Sequence, residues 1–241
     1  MPNPWNQSMI QKIESNDNGF TKLWSKTLEL ECGTLFFNPD LSDDLFFNKL
    51  TNVTCTSEKM IAESIELFRK NNSIPYIYSV NYPQLETFLK TNRFVYYDTQ
   101  HVLKKRALPS KKPIATKITA DLIPLWIEIF CKAYDCPDWK KPLSSILKNS
   151  LSMAEYYVDK SHSSCMVLYE RDSILGLYCL GTIPSRRKQG TASSLIDFAL
   201  HEVHSRNLEF LMLETYEKDN LLKFYSNLGF ENVYQKIVYT I

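Results

Sequence analysis

Apolar positions near the end of the chain follow a helical spacing and then a strand-like run, twice over. Residues 192–203 carry apolar side chains on one helical face, and residues 220–227 predict a second, shorter helix. Short apolar runs at residues 210–213 and 233–239 predict one strand before this second helix and one after it. The pattern therefore predicts the order helix, strand, helix, strand.

The preceding residues predict two helices and then a group of strands. Apolar spacing indicates an amphipathic helix over residues 120–134, with Pro124 in its first turn, where proline is tolerated. The other predicted elements are a strand at 114–118, a helix at 143–151, and strands at 155–158, 165–169 and 174–183. Strands grouped first and helices alternating later favour a mixed α+β sheet.

The first half of the chain ends in the same order of elements as the second. Its predicted elements are a helix at 58–70, a strand at 77–80, a helix at 84–91 and a strand that continues to residue 102. When Phe94 is superimposed on Phe230, Arg93 aligns with Gly229. Sequence identity between the halves is low, but the shared order of elements favours a duplicated domain.

A linker is predicted between the two halves. Residues 107–113 read ALPSKKP, and proline blocks both helix continuation and pairing within a central strand. The sequence therefore predicts a first domain at residues 1–106, a linker at 107–113 and a second domain at 114–241.

Composition excludes several classes of protein. Apolar residues make up 44% of the 241 residues, so a substantial core can be buried. A net charge of +1 argues against a dedicated nucleic-acid binder, and aromatic content of 13% argues against disorder. The N-terminal residues do not resemble a signal peptide, and no apolar run approaches the ~20 residues of a membrane helix. We expect a soluble, cytoplasmic protein without nucleic-acid or membrane partners.

The cysteines and histidines suggest no metal site. The six cysteines contain no C-x-x-C pair, so we expect thiols without disulfides in a reducing compartment. Cys165 and Cys179 lie in apolar runs, where packing is the simpler interpretation. His201 and His204 are three residues apart on a predicted helix, but a zinc site needs three or four ligands.

The segment around Gly190 has the features of an anion-binding loop. An apolar strand leads into Pro184, a basic stretch covers residues 186–188, and Gly190 opens an amphipathic helix. The start of a helix offers backbone N–H groups and a partial positive charge, and glycine lets a ligand approach the backbone closely. A solvated basic turn is the alternative interpretation of the same residues.

Two motifs in this half resemble those of the GNAT acyltransferases. Residues 187–192 (RKQGTA) fit the family pattern [QR]-x-x-G-x-[GA], and residues 224–230 (FYSNLGF) fit [FLI]-Y-x-x-x-G-F. The resemblance covers residues 114–241, and the first half resembles a degenerate second copy, as in tandem members. It implies two GNAT-like domains, each a mixed, mostly antiparallel sheet flanked by helices, with acetyl-CoA as co-substrate and no metal.

The resemblance also implies roles for individual residues. The amides of residues 189–193 would hold the pyrophosphate of acetyl-CoA, and the backbone of residues 180–182 would pair with its pantetheine arm. The implied acetyl-CoA-binding residues are Leu180, Gly181, Thr182, Arg187, Lys188, Gln189, Gly190, Thr191, Ala192 and Ser193. Tyr225 matches the family tyrosine that protonates the departing thiolate. A core aromatic residue is the alternative interpretation of Tyr225.

The proton acceptor is implied less directly. Some GNAT members carry a glutamate midway along the fourth strand, where this chain has Gly176. Others carry it at the end of the fifth strand in a Leu-x-Leu-Glu run, which residues 211–214 match, so Glu214 is the implied base. An ordinary strand-end glutamate in water is the alternative. Glu217 and Asp219 are weaker candidates.

The leading interpretation is an acetyl-CoA-dependent N-acetyltransferase in which an amine attacks the thioester directly. The acceptor is an amine on a small molecule or a protein N-terminus, and the oligomeric state is left open. A non-catalytic GNAT-like module is the alternative, because Lys218 replaces the usual asparagine seven residues before the tyrosine. A third possibility is an interaction protein that uses residues 186–188 on acidic partners.

Overall fold

A computed structural model describes residues 4–107 and 113–241. The helices of this part of the chain are α1 (Pro4–Trp24), α2 (Glu58–Lys70), α3 (Pro83–Thr91), α4 (Ile123–Tyr134), α5 (Lys140–Ser150), α6 (Thr191–Ser205) and α7 (Leu222–Asn227). The strands are β1 (Lys26–Leu30), β2 (Gly33–Phe37), β3 (Lys49–Thr51), β4 (Tyr76–Val80), β5 (Val95–Lys105), β6 (Ala115–Lys117), β7 (Glu155–Asp159), β8 (Ser164–Arg171), β9 (Ile174–Thr182), β10 (Phe210–Tyr216) and β11 (Glu231–Thr240). Each of these helices is too short or too polar to span a bilayer.

The elements confirm the predicted mixed α+β class. Helix α2 has the predicted bounds, and the Ser57 hydroxyl caps it by accepting the Met60 N–H. Pro124 lies in the first turn of α4, as predicted. Helix α7 begins two residues later than predicted, because Asn220 has a left-handed backbone with φ of 55° and ends the 3-10 turn at residues 217–219.

Helix α1 and strands β1–β3 were not predicted. The middle of α1 carries the polar run ESNDNG, which by composition suits a turn. Its apolar side chains Ile13, Phe20 and Trp24 are nevertheless buried on a helical spacing. Tertiary packing therefore overrides local propensity in this helix.

The chain divides into two compact units, and segments of the two units alternate along the sequence. Unit 1 comprises the residues up to Leu23, Leu103–Glu214 and Phe224–Asn232, whereas unit 2 comprises Trp24–Val102, Thr215–Lys223 and Val233–Ile241. The domain boundaries predicted at the 107–113 linker are contiguous along the chain and so differ from this division. Residues 108–112 of that linker lie outside the described residues.

In unit 1 the strand order is β10-β9-β8-β7-β6. Strands β9 and β10 are parallel, and the other neighbouring pairs are antiparallel. Strand β9 leads through a short loop into α6, whose buried face includes Leu195, Ile196 and Val203. This strand–loop–helix segment carries the predicted anion-binding residues.

In unit 2 the strand order is β1-β2-β3-β4-β11-β5. Strands β3 and β4 are parallel, whereas β4 and β11 are antiparallel. The core includes Leu35 and Leu50 from the strands, Phe68 from α2 and Leu89 from α3.

The expectation that no cysteine forms a disulfide is wrong for one pair. Cys32 and Cys55 are joined by a disulfide, with their Cα atoms 5.5 Å apart. Cys32 lies in the β1–β2 turn and Cys55 follows β3, and the Thr54 N–H donates to the Cys32 carbonyl at 3.0 Å. Pairing of β2 with β3 brings these residues together, which their 23-residue separation could not reveal. The other four cysteines are not in disulfides.

Helices α3 and α7 end in the same cap, at the positions that the sequence superposition aligned. Arg93 and Gly229 both have left-handed backbones, with φ of 67° and 81°. The next residue donates its N–H back to the helix at 3.0 Å in both cases, Phe94 to Leu89 and Phe230 to Tyr225. This is the hydrogen bond of a Schellman cap.

Candidate active site

The start of α6 offers backbone donors without a protein cap. Gly190 is the N-cap residue, with φ of 82°, and no side chain of the described residues makes a capping hydrogen bond there. The first N–H groups of a helix have no acceptor within the helix. A Cβ built on Gly190 would meet no atom within 4 Å, so a ligand can approach this backbone closely. The predicted anion-binding loop thus has suitable local geometry.

Arg187 braces this loop through backbone carbonyls. Its Nε donates to the Thr182 carbonyl at 3.2 Å, and its Nη2 donates to the Ala133 carbonyl at 2.9 Å. The guanidinium therefore links the end of β9 to the end of α4. Lys188 is exposed and has a left-handed backbone, with φ of 62°.

A cavity of 460 Å³ lies beside the start of α6. One wall is formed by Gln189, Gly190, Thr191 and Ser194, and the other by Ile114 and residues 159–161. Asp159 organises the second wall by accepting the backbone N–H groups of Ser161, Ser163 and Ser164. Burial alone would raise the pKa of this carboxyl, but these hydrogen bonds hold the pKa below its usual value.

Strands β9 and β10 stop pairing before either strand ends. Their parallel register runs from Phe210 beside Ile174 to Leu213 beside Leu177. Beyond that point β9 carries a bulge, because Cys179 and Leu180 together oppose one residue of β8. Cys179 has a φ of 52°, which is unusual for a strand residue. The divergence leaves the last residues of β9 without β10 as a paired neighbour.

The last turn of α4 packs on this end of β9. The Tyr134 hydroxyl donates to the Leu180 carbonyl at 3.0 Å. A Cβ on Gly181 would come within 2.8 Å of Ala133 Cβ, so only glycine permits this approach. Thr182 shares a hydrogen bond of 2.8 Å with Ser164. All three predicted pantetheine-binding residues are therefore in protein contacts.

Glu214 lies beside two carboxylates of α1. One carboxylate oxygen each from Glu14, Asp17 and Glu214 lies within 4.8 Å of the others. Glu14 and Asp17 are buried, and Glu214 is half-buried on β10. The predicted base thus belongs to an acidic cluster whose other members are distant in sequence.

Asn16 occupies the space beside Gly176. A Cβ on Gly176 would lie 2.3 Å from Asn16 Oδ1. Asn16 Oδ1 also accepts the Tyr178 hydroxyl at 2.7 Å, and its Nδ2 donates to the Ile174 carbonyl at 3.1 Å. Phe20 stacks on Tyr178 with ring centroids 4.0 Å apart. Helix α1 therefore docks where other family members were expected to carry a glutamate.

Tyr225 is held by the cap that ends α7. It is buried, and its ring packs edge-on against Phe224 and Phe230, with centroids 5.1 and 5.8 Å away. The Y-x-x-x-G-F motif therefore has a structural explanation, because Gly229 supplies the left-handed cap residue and Phe230 the packing partner.

The structure places the predicted acetyl-CoA-binding residues, Glu214 and Tyr225 in unit 1, on β9, the following loop, α6, β10 and α7. The weaker base candidates Glu217 and Asp219 lie in unit 2, in the 3-10 turn that follows β10. It adds Asn16, Glu14 and Asp17 of α1 beside β9 and β10. The available signal for α1 was its helical spacing of apolar residues, which the polar run at its centre obscures.

Comparison with solved structures identifies the fold. A GCN5-related N-acetyltransferase from Kribbella flavida is similar with a TM-score of 0.68 and 14% identity, over 95% of this chain and 93% of that one. One from Sphaerobacter thermophilus has a TM-score of 0.61 and 11% identity, over 88% and 81%. A tandem GNAT protein from the clavulanic acid biosynthesis pathway has a TM-score of 0.61 and 10% identity, over 95% of both chains. No protein-family model and no curated protein matches the sequence. The chain has the GNAT fold.

Proposed function

We propose that this protein is an N-acetyltransferase that moves the acetyl group of acetyl-CoA to an amine. The observation that carries the proposal is the uncapped start of α6 at Gly190, which follows β9, the strand that diverges from β10, after the loop at residues 183–189. This arrangement offers an anion site next to strand backbone that is not paired with β10. Acetyl-CoA has matching parts, a pyrophosphate and an amide-bearing arm.

Different residues of the loop and of β9 contact different parts of acetyl-CoA. The N–H groups of residues 189–193 hold the pyrophosphate, with Lys188 adding a nearby positive charge. The backbone of Leu180, Gly181 and Thr182 lies along the pantetheine arm. Arg187 acts indirectly, because its guanidinium fixes the loop to β9 and α4.

The chemistry is direct transfer in a ternary complex. The amine nitrogen attacks the thioester carbonyl carbon, a C–N bond forms, and the C–S bond to CoA breaks. Glu214 accepts the proton that the amine loses, and Tyr225 donates a proton to the departing sulfur. Glutamate and tyrosine suit these opposite roles, since one is a carboxylate and the other a hydroxyl donor. No acyl-enzyme and no metal are required.

We further propose that the first half of the chain is a degenerate copy of the second. The shared cap at Arg93 and Gly229 supports this proposal. In this view residues 1–106 and 114–241 are the ancestral domains and residues 107–113 their linker. Leu89 stands where the second copy has Tyr225, so the acetyl-transfer role is assigned to the second copy alone.

A non-catalytic acetyl-CoA-binding module is the second candidate. The observation in its favour is the replacement of the fourth-strand carboxylate by Gly176, whose side-chain space Asn16 fills. Such a module would bind acetyl-CoA at the α6 loop without turnover.

Substitution of the two proposed catalytic residues distinguishes these candidates. Acetyl-CoA consumption is measured by chromatography with three amine probes: an alkylamine, an aminoglycoside and a peptide with an unblocked N-terminus. We expect Glu214→Gln to lower kcat by about 10²–10⁴-fold and Tyr225→Phe to lower it less, since general acid–base groups contribute on this scale. The dissociation constant for acetyl-CoA should stay within about twofold of wild type, because neither residue is placed at the pyrophosphate.

Glu231→Gln is the matched control, because Glu231 is an exposed carboxylate on β11. Its kcat should equal that of wild type. Binding of acetyl-CoA without turnover of any amine probe would favour the non-catalytic module. Turnover that survives both catalytic substitutions would contradict the assigned roles.

A further inference from the structure

Helix α4 ends in a cap that joins two cysteines, Cys131 in the last turn of the helix and Cys136 just after it. Asp135 is left-handed, with φ of 55°, and the Cys136 N–H donates to the Cys131 carbonyl at 3.0 Å. This is the hydrogen bond of a Schellman cap, which commonly brings the side chains at these two positions into contact. In agreement with this proximity, the Cys136 side chain acts to lower the pKa of the Cys131 thiol.

The two thiols differ in access. Cys131 is 3% exposed, whereas Cys136 is half-buried at the end of the helix. Burial raises the pKa of the Cys131 thiol, although the Cys136 side chain and the charge of Lys140 act against this. Cys136 is therefore the thiol that a small oxidant reaches first, with Cys131 behind it.

The same turn of α4 is tied to the proposed acetyl-CoA site. The Ala133 carbonyl accepts Arg187 Nη2 at 2.9 Å, and the Tyr134 hydroxyl donates to the Leu180 carbonyl at 3.0 Å. Ala133 and Tyr134 lie between the two cysteines in sequence. A covalent change at the cysteines therefore acts on the residues that brace the anion loop.

We propose that Cys131 and Cys136 form an oxidisable dithiol that a peroxide converts into an intramolecular disulfide. In the first step the Cys136 sulfur attacks a peroxide oxygen, the O–O bond breaks, and Cys136 becomes a sulfenic acid as water leaves. In the second step the Cys131 sulfur attacks the Cys136 sulfur, the S–S bond forms, and a second water leaves. Two thiols and one hydrogen peroxide thus give one disulfide and two waters.

Formation of the disulfide changes the position of residues that contact the anion loop. An S–S bond of about 2.05 Å is much shorter than a contact between two thiols, so the cap must tighten when the bond forms. The Ala133 carbonyl then shifts relative to Arg187. This consequence rests on the proposed function, and we expect oxidation to weaken acetyl-CoA binding by about five- to tenfold, an ordinary size for coupling between sites.

Peptide mapping tests the dithiol without reference to acetyl-CoA. Trypsin cleaves after Lys132, so Cys131 falls in peptide 118–132 and Cys136 in peptide 133–140. Hydrogen peroxide treatment, thiol blocking and non-reducing digestion should yield these two peptides as one cross-linked species. The species should be absent from Cys131→Ser and from Cys136→Ser. Oxidation of Cys136 to sulfinic acid with no cross-link, or a cross-link to Cys165, would overturn the proposal.

Calorimetry with acetyl-CoA tests the coupling on the same samples. Oxidised wild type should bind more weakly than reduced wild type, whereas peroxide-treated Cys136→Ser should bind like the untreated variant. A cross-link that leaves the affinity unchanged would contradict the coupling. A cross-link in a protein that binds no acetyl-CoA in either state would refute the proposed function instead and leave the dithiol standing.

Discussion

At the scale of single residues, the lack of a side chain at Gly176 determines where helix α1 docks. Gly176 leaves room on β9 for Asn16, whose Oδ1 lies 2.3 Å from where a Cβ would be. Docking at this point sets Glu14 and Asp17 of α1 beside Glu214. The sequence identified Gly176 as the place of an absent carboxylate, but it did not show that another element fills that place.

Gly176→Ala tests this docking. We expect it to lower the free energy of unfolding by about 1–3 kcal/mol, because the new methyl overpacks a tight contact. Asn16→Ala should also destabilise, by about 1–3 kcal/mol, since it leaves buried polar partners unsatisfied. The double variant should be less destabilised than the sum of the two, because removing Asn16 makes room for the methyl. Strict additivity in denaturant unfolding would contradict the contact.

Asp159 makes a pH-dependent contribution to stability. Its pKa is lowered in the folded state, so its stabilising effect is complete above the unfolded pKa of about 3.9 and is lost as pH falls through the folded value. Asp159→Asn should therefore be less stable than wild type by about 1–3 kcal/mol at pH 7. The difference should shrink below about pH 4. A difference that is constant from pH 7 to pH 3 would contradict this account.

At the scale of elements, helix ends explain part of the family motif. Gly229 follows α7 and Arg93 follows α3, and each supplies the left-handed residue of its cap. Glycine adopts that conformation at low cost, whereas other residues are strained there. The glycine of Y-x-x-x-G-F is thus explained by backbone geometry alone.

The two caps predict opposite effects on stability when glycine is introduced at Arg93 and when it is removed at Gly229. Arg93→Gly should stabilise the protein by about 0.5–1 kcal/mol, and Gly229→Ala should destabilise it by about 1 kcal/mol. Arg93 is exposed, so little packing is lost in its replacement. Thermal unfolding of both variants checks the prediction. Destabilisation by Arg93→Gly would show that its side chain contributes more than the strain costs.

The spacing of apolar residues predicted those helices in which one face is buried and the other is polar. Helices α2, α4 and α6 were predicted for this reason. Helix α1 was not, because Asn16 and Asp17 are polar yet fully buried, so burial there does not follow hydrophobicity. The loop at Gly190 was predicted because its chemistry is local. The cluster at Glu214 was not, because Glu214 lies about two hundred residues from Glu14 and Asp17 in the sequence.

At the scale of the whole molecule, the compact units do not follow the chain. Unit 2 takes the segments Thr215–Lys223 and Val233–Ile241 from the end of the sequence. Strand β11 pairs with β4, so the last strand joins the sheet of the first half. The composition of a linker can predict only a boundary between two continuous stretches of chain. No local feature of β11 indicates that it pairs with β4. Exchange of this kind is compatible with the proposed duplication.

The central claim is that the start of α6 binds acetyl-CoA. Its most direct test is the thermal midpoint of wild type and Gly190→Glu, each with and without acetyl-CoA. Ligand at one hundred times its dissociation constant adds about 2.7 kcal/mol of stability. For a chain of this size the midpoint should rise by roughly 5–10 °C in wild type. Gly190→Glu should show no shift, because its carboxylate occupies the anion site. Equal shifts in both proteins, or none in wild type at millimolar acetyl-CoA, would contradict the account.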